Sequence, residues 1–558
     1  MKIYEKEKNK NKTFLLKINR FIKKIDYKKF KIPAISFIGL SLISISPLYF
    51  SRGEDLNKLI YSSLGKFDKR LPVIIRELKL YGFNPIFITK NYVRSQFLKE
   101  EIMDLDINFQ NFSKLSNLRD KALNDGILLR SLGDEVKAKI KYKGKSYPVS
   151  IRLKGDWTDH LIGKKWSFRV KTKKNTSLEG MSEFSLQHPK TRNYINEYIF
   201  HKLLKYENLP YLRYSFVPLR INGKNLGSYA IEEHFDKNLI ENSGFREGPI
   251  IRLSDKDYRN EYTRMRTIDE ALNYVYSDKN NADIKSFNFS KIRDNENLMS
   301  QFMIASNLFE MYLDKKLEVP NVFDINMTAK YFAISDLVQA GASNSWYDMR
   351  FYFNPITARF IPIGYDAQTP IKIKQRILSK DLNVFNLFNN INFLKKYLEY
   401  LEKFSEEEYL ENFLTKNNEE INYALTSLNK TYPHIKFLKD EISKNQKFIR
   451  KRLSPQEPIG INNFKLFINQ REKLELEIYN KSLFPIEIIK IESGPYAFDI
   501  DSGNILLAAN KFERISPQNI YLQNNSGKIE KEIIMNNDWK IKYKILGSSN
   551  LKLFTAKN

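Results

Sequence analysis

The sequence predicts an α+β chain in three parts. One transmembrane helix comes first, then a two-lobed domain with strands early and helices late, then an all-β sandwich of Ig-like size. Three observations carry this. Residues 32–51, IPAISFIGLSLISISPLYFS, hold no charge over twenty positions. From 134 apolar and polar residues alternate in short runs, and from 293 the spacing turns helical. After Pro455 short alternating runs return, separated by Asn, Ser, Gly and Pro.

A helix of about twenty residues covers the ~30 Å hydrocarbon core of a bilayer. The 31 residues before it hold twelve Lys and Arg against three acidic residues. Positive flanks stay in the cytoplasm. The expectation is therefore a basic cytoplasmic tail over 1–31, an anchor over 32–51 in the plasma (inner) membrane, and the bulk of the chain extracytoplasmic. A cleaved signal peptide is the alternative, but the basic leader is too long and no small-x-small cleavage site stands out. Residues 52–99 read as a membrane-proximal helical segment.

The next region, 100–455, opens as a strand and helix at LDINFQNFSKLSNLRDKAL. EVKAKIKYKGKSYPVSIRLKGDW gives two alternating strands around Lys143-Gly144, and KKWSFRVKT a third. TRNYINEYIFHKLLKYENL spaces Ile195, Ile199, Leu203 and Leu204 as one helix face. SFVPLRINGKNLGSYAIEEHF is a hairpin turning at Asn222-Gly223. Helices follow over 293–317 and 376–452. Residues 456–558 then read as the β-sandwich.

Composition limits the chemistry. The chain has 558 residues, a formal charge of +27, five histidines and no cysteine. Disulfides, thiolate-bound metals and thiol catalysis are excluded. Lysine is spread throughout, with no Arg-rich stripe or nucleic-acid motif, so a nucleic-acid partner is not expected. Anionic lipid headgroups or phosphate-bearing polymers fit the charge as well. No Walker A, GxSxG, HExxH or Rossmann pattern is present. His160, His188 and His201 read as structural.

Three constellations could carry chemistry. In NSWYDMRFYFNPITARFIPIGYDAQ, Asp348 opens one strand of a hairpin and Asp366 ends the other. Neighbouring carboxylates at a hairpin's open end could share a hard cation such as Mg²⁺; the alternative is two independent turn caps. In KKWSFRVK, alternation puts Arg169 and Lys171 on one strand face, where they could hold a polyphosphate or simply meet solvent. Glu232 and Glu233 point to opposite sides of a strand, so one faces inward and needs an Arg or Lys partner. Arg192 and Glu197, five apart, do not face each other directly on a helix.

Taken in order, IRLKGDW, KKWSFRVK, INGKNLGSYAIEEHFDK and WYDMRFYF…FIPIGYDA resemble the CotH protein kinase family, named for spore coat protein H. In that family an R-x-[RK]-G strand precedes a K-x-[SF]-[FY]-R-x-K strand, an NG…G-x-Y-x-x-x-E hairpin and a D…N-x-Y-x-Y…P-W-D-x-D segment. The resemblance covers roughly 100–455. It implies an atypical protein-kinase-like two-lobed domain using ATP and Mg²⁺ (or Mn²⁺) to phosphorylate a cell-envelope protein or polymer. It also implies Asp348 and Asp366 as metal-binding aspartates, Arg169 and Lys171 near the phosphates, and Glu232 orienting a cation. Asp348 and Glu232 are then the catalytic candidates. Arg252, in IIRLS, stands where the family often has a lysine at the nucleotide. Three positions depart from the pattern. Ile363 and Gly364 replace the Trp and first Asp of P-W-D-x-D, and Arg350 replaces the Asn after the first aspartate. A catalytically inactive scaffold that binds an envelope partner is the alternative these departures imply.

Overall fold

The computed structural model describes residues 81–557 except 83, 130, 132, 174–175, 255–281, 375–376, 378–383, 468–472, 501–504, 507–516 and 525–528. Residues 83–558 group as one unit and 1–82 as another; the architecture below is that of the first. Among the described residues no helix is long and apolar enough to cross a membrane. The segment 32–51 lies outside the described residues.

Helix α1 (Pro85–Gln96) begins on Asn84, whose side chain accepts from Phe87 N at 3.1 Å. Next comes a closed barrel. Strand β1 (Met103–Asp106) leads into helix α2 (Phe109–Asp125), then β2 (Val136–Tyr142), β3 (Lys145–Leu153), β4 (Phe168–Thr172) and β5 (Glu183–Gln187). Helix α3 (Ile195–Tyr206) intervenes before β6 (Tyr214–Ile221) and β7 (Lys224–Glu233). The barrel runs β1-β2-β3-β4-β5-β7-β6 and closes through a parallel β1–β6 pair. Both expected hairpin turns are present: Lys143 and Gly144, then Asn222 and Gly223, take positive φ, as tight two-residue turns require. Alternation directs Ile140, Ile151, Phe168, Val170, Leu186 and Ile231 into one apolar core. Their neighbours Arg152, Arg169, Ser185 and Glu232 therefore share the outer face.

The second lobe holds a four-stranded sheet, β11-β10-β8-β9. Its strands are β8 (Ile250–Leu253), β9 (Ile284–Ser286), β10 (Arg350–Asn354) and β11 (Arg359–Ile363). Around it lie helices α4 (Glu296–Leu313), α5 (Ile325–Val338), α6 (Ile391–Ser405), α7 (Glu407–Asn429) and α8 (Lys439–Arg452). The long helical stretch expected over 376–452 is thus three helices where described. Helix α5 went unread in the sequence because it is apolar nearly all round: ten of its residues, Thr328 and Ala329 then Tyr331–Val338, are buried, so no stripe marks it.

Where described, the C-terminal part is β apart from one short helix, Lys531–Met535, with strands β12 (Ile459–Phe467), β13 (Lys473–Asn480), β14 (Ile486–Ser493), β15 (Tyr496–Ile500), β16 (Ile505–Leu506), β17 (Gln518–Asn524), β18 (Trp539–Ile545) and β19 (Lys552–Ala556). The expectation is a β-sandwich of Ig-like size. Instead one hydrogen-bonded sheet runs β12-β13-β17-β15-β14-β18-β19, with β16 on β14. It curls on itself: Phe464 of β12 meets the buried Trp539 of β18 edge-on at 5.8 Å, although four strands separate them. A two-residue period reports which face a side chain takes, not which strand lies beside it, so it could not tell one curled sheet from two. Glu402 of α6 ties this sheet to the helices, accepting from Ser549 N at 3.1 Å and Asn550 Nδ2 at 2.9 Å.

Candidate active site

The site forms where the outer face of the barrel meets the β10–β11 hairpin and the start of α3. Lys154 follows the last residue of β3, and its N–H still pairs with Ser167 O at 2.8 Å. Its side chain therefore continues the outward face of Arg152. Gly155 then turns sharply at φ +106°, and a Cβ there would lie 2.6 Å from His160 Cβ. Only glycine lets the loop fold this tightly over the histidine. His160 is fixed in turn by Ser167 Oγ at 3.0 Å.

Lys154 Nζ lies 2.7 Å from Glu232 Oε1, both side chains almost fully buried. Gln187 Nε2 donates to Glu232 Oε2 at 2.7 Å, and Gln187 Oε1 accepts from Lys154. Arg192 Nε approaches Glu232 Oε2 at 3.5 Å, and Arg192 Nη1 approaches Asp366 Oδ1 at 3.0 Å. One line of alternating charge thus runs from barrel to hairpin: Lys154, Glu232, Arg192, Asp366. Burial raises Glu232, but Lys154 and Arg192 outweigh it and hold the carboxyl well below its ordinary range. Burial pushes Lys154 down, to about 7, against the attraction of Glu232. Burial also works against Arg192's charge, but Asp366 and Glu232 hold its guanidinium well above its usual value. The carboxylate fixed between two cations sets the state of the group: Glu232 is ionised.

Arg192 ends the short 3₁₀ turn Pro189–Arg192. Asn193 and Tyr194 follow at φ 51° and 60°, an unfavourable region for a bulky tyrosine. This kink starts α3 with its first turn against the segment after Asp366. Asn193 and Asn196 donate to Thr369 O at 3.1 and 3.0 Å. Glu197, wholly buried, accepts from Ala367 N at 3.1 Å and Gln368 N at 3.4 Å. Asp366 itself sits at φ 54°.

Asp348 lies two residues before β10 and Asp366 three after β11, so the hairpin does bring them to one end. Asp348 accepts from Ser345 Oγ at 3.1 Å. Burial first and the charge of Asp366 second push its carboxyl up to about 7. Asp366 is 14% exposed and is also raised, chiefly by burial. Two half-buried carboxylates, one of them raised by the charge of the other, fit a hard cation. Mg²⁺ is commonly held by one or two carboxylates, with waters and substrate phosphates filling the rest. Among the described residues no group of three or more His, Asp or Glu side chains could hold a metal, so the fit is of that open kind.

The remaining predicted residues are spread more widely. Arg169 is buried beside Glu183 at 3.9 Å, on the face that holds Glu232. Lys171 is exposed further along β4 and takes no place in the buried line. Arg252, on β8, stacks over Phe287 at 5.3 Å, a ring it shares with Arg350 at 5.7 Å. Arg350 also lies over Tyr365 at 5.1 Å and donates to Tyr347 O at 2.7 Å. At Gly364 a Cβ would come within 2.2 Å of Leu204 Cδ1 and 2.8 Å of Phe200 Cε1, so α3 fills the space where a side chain would go. Lys154 was not singled out from the sequence. The signal was present: Ile151 and Leu153 face the core, which turns Arg152 and Lys154 outward beside Glu232.

A barrel lobe with a buried Lys–Glu pair, set against a helical lobe that supplies two aspartates, is a kinase-like layout. Residues 151–456, more than half of the chain, match the family model described as CotH kinase protein. The chain belongs to the CotH kinase family. A search of curated proteins finds no match.

Proposed function

We propose that this chain is a membrane-anchored phosphotransferase. It moves a phosphoryl group from ATP to a protein or polymer of the cell envelope, with residues 32–51 holding it in the inner membrane. The observation that carries this is the unbroken line Lys154–Glu232–Arg192–Asp366 with Asp348 alongside. Phosphoryl transfer needs positioning and charge neutralisation more than covalent help. Arg192 supplies fixed positive charge, Lys154 adds an ammonium that burial brings down to about 7, and Glu232 orients both. Arg169 and Lys171 face the donor's phosphates, and Arg252 lies further along the nucleotide. Asp348 and Asp366 would hold Mg²⁺ or Mn²⁺. That ion, when bound, neutralises phosphate charge. Asp348 is the candidate proton acceptor.

The test is labelled ATP with envelope material and the full-length chain, comparing Asp366→Asn. Incorporation that falls to background in the folded variant supports transfer; equal labelling of both overturns it. Membrane fractionation with protease added from outside tests the anchor and its orientation.

A second reading has its own observation. Gly364 is closed off by Leu204 and Phe200, and Arg350 stacks where the family pattern has an Asn. Both changes remove ligand capacity, which favours a non-catalytic scaffold that keeps the fold to bind an envelope partner. Nucleotide binding without label transfer would select it.

A further inference from the structure

We propose that the outer face of α1 is a second membrane contact, one that lies on an anionic bilayer surface and holds the unit that carries the site against it. The placement of this contact rests on the proposed anchor at 32–51; the chemistry of the face does not.

Helix α1 is fixed to the body by one side. Asn91 Nδ2 donates to Pro433 O at 3.1 Å, Ser95 is buried, and Lys430 Nζ donates to Leu98 O at 2.6 Å just past the helix. Asn91, Ser95 and Leu98 follow the spacing of one helix face. The opposite stripe is Ile86, Lys90, Val93 and Phe97, spaced four, three and four. Ile86 and Phe97 are each 81% exposed and Val93 49%. Pro85, Ile86, Thr89, Lys90, Val93 and Arg94 line one open recess there. The packed side of the helix accounts for its place in the fold; an Ile, a Val and a Phe in one exposed stripe mark a surface that meets something else.

Two features name the occupant. The apolar side chains are interleaved with Lys90 and Arg94, and α1, PIFITKNYVRSQ, has no acidic residue. That mixture suits the boundary of an anionic bilayer. The ring and branched chains enter the headgroup region while the cations stay at its surface, beside lipid phosphates. An apolar partner helix would instead strip both cations of water with no counter-charge. The second feature is the tether. Only 33 residues, 52–84, separate the anchor from α1. That length reaches about 30 Å as a coil and about 50 Å as a helix. A face held so close to the bilayer meets it intramolecularly, and a weak contact is then well occupied.

The chain has no cysteine, so one spin label can be placed on full-length protein reconstituted in vesicles. The label goes at Val93→Cys or, as a control, at Ile356→Cys, a loop position that is 72% exposed. Collision with a water-soluble nickel chelate and with oxygen is then compared. In phosphatidylcholine vesicles containing phosphatidylglycerol, the label at 93 should be shielded from nickel and reached by oxygen, while that at 356 stays aqueous. Shielding should fall in high salt and in phosphatidylcholine alone. Lys90→Gln with Arg94→Gln should lower the ratio of shielded to exposed label by about tenfold or more. A label at 93 as open to nickel as that at 356, in an integrated chain, overturns the contact. So does shielding unchanged by lipid charge and salt, which would assign the face to the chain's own upstream segment. Shielding lost on diluting the protein in lipid would assign it to a second copy and also overturns it. An alkaline carbonate wash reads the anchor separately: extraction of the chain sinks the anchor, and shielding of position 93 by added anionic vesicles then still upholds this face.

Discussion

Lys154 Nζ stands 2.7 Å from Glu232 Oε1 with both side chains nearly sealed from solvent. Removing one partner of such a pair strands the other charge in the interior. Lys154→Met leaves Glu232 with Arg192 at 3.5 Å and Gln187 at 2.7 Å, so part of its compensation survives. Glu232→Gln leaves Lys154 and Arg192 adjacent with no carboxylate between them. Denaturant unfolding should show a loss of about 3–5 kcal/mol for Glu232→Gln and less for Lys154→Met. The double variant should lose less than the sum of the two. Additive losses would mean that the two groups do not act as a pair.

Gly364 marks how far this chain departs from its family's pattern. Its Cβ position is taken by Leu204 and Phe200 of α3. Gly364→Asp, which restores the family residue, should destabilise the fold by about 1–3 kcal/mol through overpacking, and more if the carboxylate is left unpaired. Leu204→Ala in the same chain should recover part of that loss. A Gly364→Asp variant as stable as wild type would show that α3 yields and that the site can take a third acid.

The barrel strands other than β5, both tight turns and the β10–β11 hairpin were legible because each rests on local chemistry: a two-residue period, Asn-Gly or Lys-Gly at a turn, and a short loop. The pairing of Asp348 with Asp366 followed from hairpin geometry alone. Lys154 was hidden because its partner, Glu232, lies 78 positions away, and only the closed barrel brings β3 and β7 to one face. Arg192 was read as a helix residue beside Glu197. It stands instead in the turn before the helix, and the positive φ of Asn193 and Tyr194, which no residue pattern announces, aims it at Asp366. Lys171 was placed with Arg169 by alternation, correctly as to face. The end of the strand, where exposure sets in, is a tertiary matter.

Lys165 gives a pH signature. Nζ donates to Ser228 O at 3.1 Å and Tyr432 Oη at 2.8 Å and lies over the Tyr432 ring at 4.7 Å. Among the described residues no carboxylate pairs with it. Burial pushes its ammonium down to about 7. The unfolded lysine keeps its ordinary, higher value. Between the two the unfolded state holds more protons, so this group's contribution makes stability rise with pH above about 7 and fall as pH returns toward it. The slope should be somewhat under the limit of about 1.4 kcal/mol per pH unit, since Lys165 is half-buried and solvent screens it. Lys165→Met should flatten the rise in melting temperature between neutral and alkaline pH. An unchanged slope would assign the pH dependence elsewhere.

Glu197 fastens the segment that carries Asp366. Its carboxylate takes the N–H groups of Ala367 and Gln368, while Asn193 and Asn196 hold Thr369 O. Asp366 at φ 54° and Gln368 at φ 46° are left-handed, which costs a side-chain-bearing residue about 1–3 kcal/mol unless the surroundings enforce it. Without the carboxylate, two buried donors lose their acceptor and the strained backbone loses its restraint. Glu197→Ala should lower stability by about 2–4 kcal/mol. It should also raise amide exchange at 366–370 well above that of the barrel strands. Glu197→Gln keeps one acceptor oxygen and should fall between. Loosening confined to this segment, with the barrel still protected, identifies a local tie; uniform loss of protection across both lobes would show that Glu197 serves the fold as a whole.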